Sequence, residues 1–268
     1  MHPKLFNIPL PEFLSRLLGI NSITVYTYAF CIVLATVISC MYIKRSAKKE
    51  LKGWSVPYSF FYAMFLAGFI GGKLFYYLEK PAYYFQHPQL LLDNFSGGFV
   101  VYGSIIFIAL FTVLYCVKNK ISIYGLLDIM AIASILPMSL GRVGCFFGGC
   151  CYGKPTDGFL GVVFPATTPH AVHPTQLYDA AMLTIVLTCL LVANKRKKIE
   201  GQVFLLYIML YAIERVLLEL LRGDLRGTFF NGLISHAQAI SIAAFITAFI
   251  LFNKLKKQHQ SINLKIAS

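Results

Sequence analysis

Apolar residues run through most of this chain in long unbroken stretches, separated by short segments rich in lysine, glycine or proline. About 20 mostly apolar residues cross a bilayer as a helix. Seven stretches meet that length, roughly 23–43, 56–78, 99–117, 124–147, 176–194, 202–222 and 235–253. Membrane β-strands are shorter and alternate in polarity, so the continuous runs exclude a barrel. The expected fold class is all-α, a polytopic membrane protein with seven transmembrane helices. No internal repeat or low-complexity linker divides it, so one transmembrane domain is expected over 1–268. Ahead of the first span, Pro3, Pro9, Pro11, Glu12 and Arg16 leave no apolar segment for a cleavable signal peptide. Pro11 to Leu18 reads instead as a short helix on the membrane surface.

Lysine and arginine orient the spans. Lys44, Arg45, Lys48, Lys49 and Lys52 follow the first span, Lys118 and Lys120 the third, and Lys195, Arg196, Lys197 and Lys198 the fifth. Lys254, Lys256, Lys257 and Lys265 lie in the tail. With seven spans these fall on one side, fifteen of the 24 basic residues. Lys4, Arg16, Lys80, Lys154, Arg222 and Arg226 fall on the other. The positive-inside rule then predicts the N-terminus out and the C-terminus in.

Composition agrees. The 268 residues are 57% hydrophobic and 13% charged, against about 25% charged in soluble domains, and mean hydropathy is +0.68. A net charge of +13 by itself suggests nucleic acid, but the basic loops facing an anionic inner leaflet explain it better. Disorder, a nucleic-acid-binding domain and a secreted disulfide scaffold are all excluded. Seven scattered cysteines imply no full disulfide framework.

Some charges lie at or inside the spans: Lys73, Arg142, Arg215, Asp128, Asp179, Glu214 and Glu219. Each costs about 2.5–3.5 kcal/mol near the bilayer centre, so such residues pair or line polar cavities. Tyr211, Arg215, Glu219 and Arg222 are spaced to share one face of the sixth span. This face supports two readings: a structural Arg215–Glu219 ion pair, or an arginine that grips a phosphate. Arg142 opens a second cluster, with five glycines between 141 and 153. Such a run is expected to be irregular backbone lining a cavity, with the arginine beside a phosphate cradle. A third stretch runs His173-Pro174-Thr175-Gln176-Leu177-Tyr178-Asp179 into the fifth span. Here Thr175 is expected to cap the helix and Asp179 to sit in its first turn.

These stretches together resemble the bacterial prolipoprotein diacylglyceryl transferase family. The family signature G-R-x-G-N-F-x-N-x-E-x-x-G aligns with Gly141 to Gly153, and the H-P-[ST]-Q-L-Y-E segment with His173 to Asp179. Gly97-Gly98-Phe99-Val100-Val101-Tyr102-Gly103 is similar to a Gly-Gly-x-x-x-His-Gly stretch, and Gly71-Gly72-Lys73 to a Gly-Gly-Arg. Tyr28, Tyr211, Arg215, Gln238 and Ser241 also fall at family positions. There are departures too. Cys145 and Gly148 stand for two asparagines, Cys150 for a glutamate and Tyr102 for a histidine.

The resemblance implies transfer of diacylglyceryl from phosphatidylglycerol to the lipobox cysteine of a preprolipoprotein, in the bacterial cytoplasmic membrane. Expected partners are that lipid, the lipobox segment and membrane lipids, with no nucleic acid, no cofactor and no metal. Arg142, Arg215, Tyr102, His173 and Tyr211 are the expected catalytic residues. Tyr28, Gly98, Gly103, Gly144, Gly153, Gln176, Tyr178 and Glu219 join Arg142 in substrate binding. The arginines suit a departing phosphate. Tyr102, His173, the phosphate itself and bulk hydroxide stay open as the acceptor of the thiol proton. Cys145, Cys150 and Cys151 remain open between packing, a disulfide, and metal or glyceryl binding. Alternatives to lipobox transfer are a related transferase with another acceptor, a non-catalytic lipid-binding paralogue, and a membrane thiol oxidoreductase.

Overall fold

The computed structural model describes residues 3–93, 97–222, 228–229 and 234–267. The elements run β1 (Lys4–Pro9), α1 (Glu12–Leu18), β2 (Ser22–Tyr26), α2 (Thr27–Glu50), α3 (Tyr58–Leu78), α4 (Pro81–Gln86), α5 (Leu90–Asp93) and α6 (Val101–Asn119). They continue with α7 (Ile123–Gly148), α8 (Thr175–Arg196), α9 (Gln202–Leu221), β3 (Thr228–Phe229), β4 (Ile234–Ser235) and α10 (His236–Ala267). Arg226 lies outside the described residues, as does the side chain of Lys265.

The chain is mostly helical. Among the described residues, six helices are long and apolar enough to cross a membrane: α2, α3, α6, α7, α8 and α10. The stretch expected as the sixth span is helix α9, 20 residues long, which is not one of these six; it carries Glu214, Arg215 and Glu219.

The all-α expectation needs correcting at two small antiparallel hairpins, β1 with β2 and β3 with β4. The first takes Ser22–Tyr26 into a strand, so the first helix starts at Thr27 and not at 23. It also runs on to Glu50 through the expected loop. Its last turn holds Lys48 and Lys49, which suit the carbonyl end of the helix dipole. No glycine or proline follows His236, and α10 continues to Ala267 past the expected end at 253. The expected surface helix forms as α1, ended by Gly19 in the left-handed region (φ 67°).

The chain divides into two compact units. One holds residues 1–43 and 127–268, the other residues 44–126. In the second unit α3 packs on α6 through Gly71 and Gly103, whose backbones approach too closely for any side chain. Ser104 Oγ donates to Gly68 O at 2.7 Å. Lys73 Nζ donates to the carbonyls of Gly97 at 2.5 Å and Gly98 at 3.0 Å. This intramembrane lysine is thereby satisfied by the turn that leads into α6.

The first unit is built on α7, α8 and α9. Its core is Ile132, Ile135, Leu183, Val186, Leu190 and Val203. Two polar contacts lock the helices where apolar packing alone leaves backbone groups open. Pro137 lies inside α7 and has no N–H for the carbonyl of Ala133, four residues earlier. Ser39 Oγ of α2 lies 2.8 Å from that carbonyl and 2.8 Å from Ala35 O, its one proton shared between them, the kind of side-chain repair that makes a mid-helix proline tolerable in a membrane. Asp128 is fully buried on α7 and accepts from the N–H groups of Gly201 (2.9 Å) and Phe204 (2.8 Å) at the start of α9. Lys197 Nζ lies 3.3 Å from the same carboxylate. Asp128 therefore caps α9 from another helix. Asp128→Ala strands two backbone donors and should lower stability by about 1–3 kcal/mol, read as a lower Tm in detergent.

Candidate active site

Between α2, α7, α8 and α9, within the first unit, lies a cavity of about 180 Å³. Tyr28, Arg142, Asp179, Tyr211, Glu214 and Arg215 reach it from four helices. It is smaller than the 300–1,000 Å³ of a drug-sized pocket. It has room for a small polar group and not for a pair of acyl chains.

Its charges are paired. Arg142 Nε lies 2.5 Å from Asp179 Oδ2, with 29% and 5% of the two side chains exposed. Arg215 lies 3.0 Å from Glu219 Oε2, one turn along α9, and both are largely buried. Glu214 also reaches the Asp179 carboxyl, while its Oε1 has no hydrogen-bond partner. The structural ion pair expected for Arg215 is therefore present, and the same arginine still lines the cavity. Glu219 holds Arg215 from outside the lining.

The local structure explains the geometry. The irregular cradle expected from Gly141 to Gly153 is corrected: α7 continues to Gly148, and irregular backbone begins at Gly149 (φ 67°). Gly144 serves helix packing. A methyl group there would lie 2.8 Å from Tyr28 Cα, so the glycine brings α2 against α7, and Tyr28 and Arg142 line the same cavity. Gly153 likewise lets the loop after α7 touch the end of α9. A methyl group there would stand 2.5 Å from the Leu221 carbonyl oxygen.

The start of α8 also differs from expectation. Pro174 occupies the N-cap, Thr175 Oγ1 donates to Cys151 O at 2.9 Å, and Asp179 turns inward to Arg142. Because α8 starts at Thr175, Asp179 is its fifth residue, past the first turn where the helix dipole acts, and it pairs with Arg142 instead. Gln176 is 1% exposed and its Nε2 donates to Cys150 O at 2.6 Å. Thr175 and Gln176 thus fasten the loop after α7. Arg222 leaves the face of Tyr211, Arg215 and Glu219, because α9 ends at Leu221 and Arg222 is extended (ψ 142°).

Outside the small cavity, that loop lines a vestibule of about 700 Å³ with Cys150, Cys151, Thr167, His170 and Arg222. His173 pairs its backbone with Gly153 and Lys154, and its Nδ1 lies 3.4 Å from the Tyr178 hydroxyl. Neither His173 nor Tyr178 lines the arginine cavity. In the second unit, Tyr102 stands 61% exposed on α6. Gly98 takes a left-handed turn (φ 58°) against the Tyr76 ring, and Gly103 packs on α3.

Three thiols, Cys145, Cys150 and Cys151, lie with every Sγ within 4.8 Å of the others. Hydrogen bonds from the Cys145 and Cys150 thiols, with the charges of Arg142 and Arg222 nearby, pull Cys151 down to about 5 against its burial. Burial pushes Cys150 up. A thiolate is the reactive form, so it persists above pH 5 and is lost as pH falls through that value. Iodoacetamide labelling of the reduced protein should therefore stay fast at pH 6, where an ordinary thiol with a pKa near 8.5 is almost inert.

A profile of the prolipoprotein diacylglyceryl transferase family matches residues 15–253. The chain belongs to this family. It is similar to the phosphatidylglycerol–prolipoprotein diacylglyceryl transferase of Clostridium tetani, 34% identical over 243 residues, which cover 87% of this chain and 95% of the relative. The second such enzyme of Clostridium perfringens is 33% identical over 252 residues, 90% of this chain and 96% of the relative. The Campylobacter hominis enzyme is 28% identical over 257 residues, 91% of each chain.

As a member of this transferase family with six apolar helices of spanning length, the chain is a multi-pass membrane protein. Of the residues that resemble family positions, the cavity brings together Tyr28, Arg142, Tyr211 and Arg215. Asp179, Glu214 and Cys145 join them there and were not among the expected site residues. Their signal was present for the two acids, as carboxylates inside apolar spans that require partners.

Proposed function

We propose that this chain transfers the diacylglyceryl group of phosphatidylglycerol to the lipobox cysteine thiol of preprolipoproteins. The observation that carries the reading is the pair Arg142 and Arg215, on separate helices, lining one small polar cavity inside apolar helices. The relatives named for this reaction support it. The thiolate sulfur attacks the glyceryl carbon that bears the phosphate. The C–O bond breaks with its electron pair going to oxygen, and glycerol phosphate departs. Charge then concentrates on the leaving phosphate, where two guanidiniums in a water-poor site act most strongly. In this reading Tyr28 and Tyr211 line the approach to the phosphate, and Asp179 and Glu219 hold the two arginines in position.

The long helices and the distribution of lysines support a seven-span topology in the bacterial cytoplasmic membrane. Here α9 is the sixth span, added to the six apolar helices with its charges turned inward, and the N-terminus is outside and the C-terminus inside. The family match runs through both compact units, which supports one functional domain over 1–268. The cysteines of the first unit contain no Cys-x-x-Cys pair, so the oxidoreductase alternative lacks its basis.

The test is mass spectrometry of a lipobox peptide incubated with phosphatidylglycerol and the purified protein in nanodiscs. Diacylglyceryl added to the peptide cysteine, with glycerol phosphate released, is the expected result. Lipid bound with neither product formed would overturn the reading.

A further inference from the structure

The transfer needs a thiolate, and the arginine cavity offers no obvious means of making one. Among its described lining residues there is no histidine, and its carboxyl groups face each other and the arginines. At the mouth of the cavity, however, three thiols form a triangle. Cys145 lines the arginine cavity itself, while Cys150 and Cys151 line the vestibule. The trio thus lies between the two spaces, and in the transfer reading an incoming peptide thiol passes it on the way to the glyceryl carbon.

The triangle has the dimensions of a shared cation. Thiolates bound to one zinc at about 2.3 Å stand roughly 3.8 Å from one another in a tetrahedron. With all three Sγ atoms already within 4.8 Å, small side-chain rotations close the site. The backbone that carries them is fixed. Gln176 and Thr175 hold the carbonyls of Cys150 and Cys151, and the Cys150 N–H donates to Cys145 O at 3.2 Å. Three protein thiolates leave one tetrahedral position, and the exposure of Cys150 and Cys151 places the open side toward the vestibule. A zinc with three protein ligands and one open position is the catalytic pattern; structural zinc sites are closed by four.

We infer that Cys145, Cys150 and Cys151 form a three-thiolate zinc site whose open position takes the lipobox thiol and delivers it as thiolate. This rests on the transfer reading above. A thiol that coordinates the metal gives up its proton outright, here to solvent. The bound sulfur then forms its bond to the glyceryl carbon as the carbon–phosphate oxygen bond breaks. Glycerol phosphate leaves against Arg142 and Arg215, and zinc remains Zn(II) throughout. The product is a neutral thioether, a weak zinc ligand, so it leaves the metal.

The test uses the full-length protein in nanodiscs. Zinc is measured by elemental mass spectrometry after equilibration with Zn(II), and Co(II) serves as the spectroscopic probe. One zinc per chain is expected. A sulfur-to-cobalt charge-transfer band should strengthen when a lipobox peptide is added and stay unchanged with its Cys→Ser counterpart. Cys145→Ser, Cys150→Ser and Cys151→Ser should each weaken zinc binding by more than the ten- to hundredfold typical of losing a supporting hydrogen bond. Cys189→Ser, on the exposed surface of α8, should bind as the parent does.

The cobalt spectrum of the unmutated chain answers the question even if a variant fails to fold. Transfer at full rate in chelated, zinc-free protein would overturn the inference and leave the transfer reading standing. Zinc bound with no response to the peptide thiol would overturn the thiol-delivery role. A site that takes Cu(I) but refuses Zn(II) would overturn the choice of metal.

Discussion

Arg215→Ala is expected to reduce lipobox transfer by about 10²–10³ in kcat, the largest catalytic effect of any single change outside Arg142. The arginine reaches the cavity from α9 and is held by Glu219 at 3.0 Å. Its charge is worth most when negative charge builds on the departing phosphate, so the loss should fall on kcat more than on the KM for the peptide. Arg215→Lys restores the charge but not the two-pronged donor geometry, and should recover only part of the rate. Single-turnover kinetics with the lipobox peptide checks both. An unchanged chemical step in Arg215→Ala would leave Arg215 as no more than half of an ion pair. Glu219→Gln, which keeps the shape but removes the charge that positions Arg215, should fall between parent and Arg215→Ala.

Asp179→Ala should carry the largest cost in stability, about 3–5 kcal/mol, because it strands the Arg142 charge inside the helix bundle. The pair is close, 2.5 Å, with Asp179 only 5% exposed. It joins α8 to α7 and, through the contact of Asp179 with Glu214, to α9. Thermal unfolding in detergent reads the loss. Adding Arg142→Met to Asp179→Ala removes the stranded charge and should return much of the Tm, since an apolar replacement of a buried pair is often neutral or stabilising. The double variant should recover none of the activity. That split separates the structural role of the pair from the chemical role of the arginine. A double variant no more stable than Asp179→Ala would show that the pair is not what holds these helices together.

Much of the architecture was legible along the chain. Each of the seven apolar stretches holds a long helix, because in a bilayer the backbone must satisfy itself within each segment and runs of about 20 apolar residues have few alternatives. The short helix α1 was readable from Pro11 and the polar residues around it. Arg142 and Arg215 stood out because a charge in an apolar run demands an explanation. The ends of the elements were less legible. Strand β2 took residues from the first span through pairing with β1, a contact of separated segments that no local pattern announces. The glycines from 141 to 153 misled in part: Gly141 and Gly144 permit close helix packing as readily as a loop, and only the position of α2 decides between them.

The sequence by itself determined the solvent this protein folds in, the order of its long helices and which two arginines stand out in them; it predicts seven spans, and among the described residues six helices are long and apolar enough to cross. Hydrophobicity and charge act residue by residue, so they can be read without coordinates. Only the tertiary structure decided that both arginines line one cavity, that Arg142 and not the helix dipole receives Asp179, that Ser39 meets the carbonyl left open by Pro137, and that three cysteines from a helix end and a loop converge within 4.8 Å. Each depends on helix rotation and crossing, which are set by packing between segments distant in the chain. Apolar spacing within one segment does not specify them.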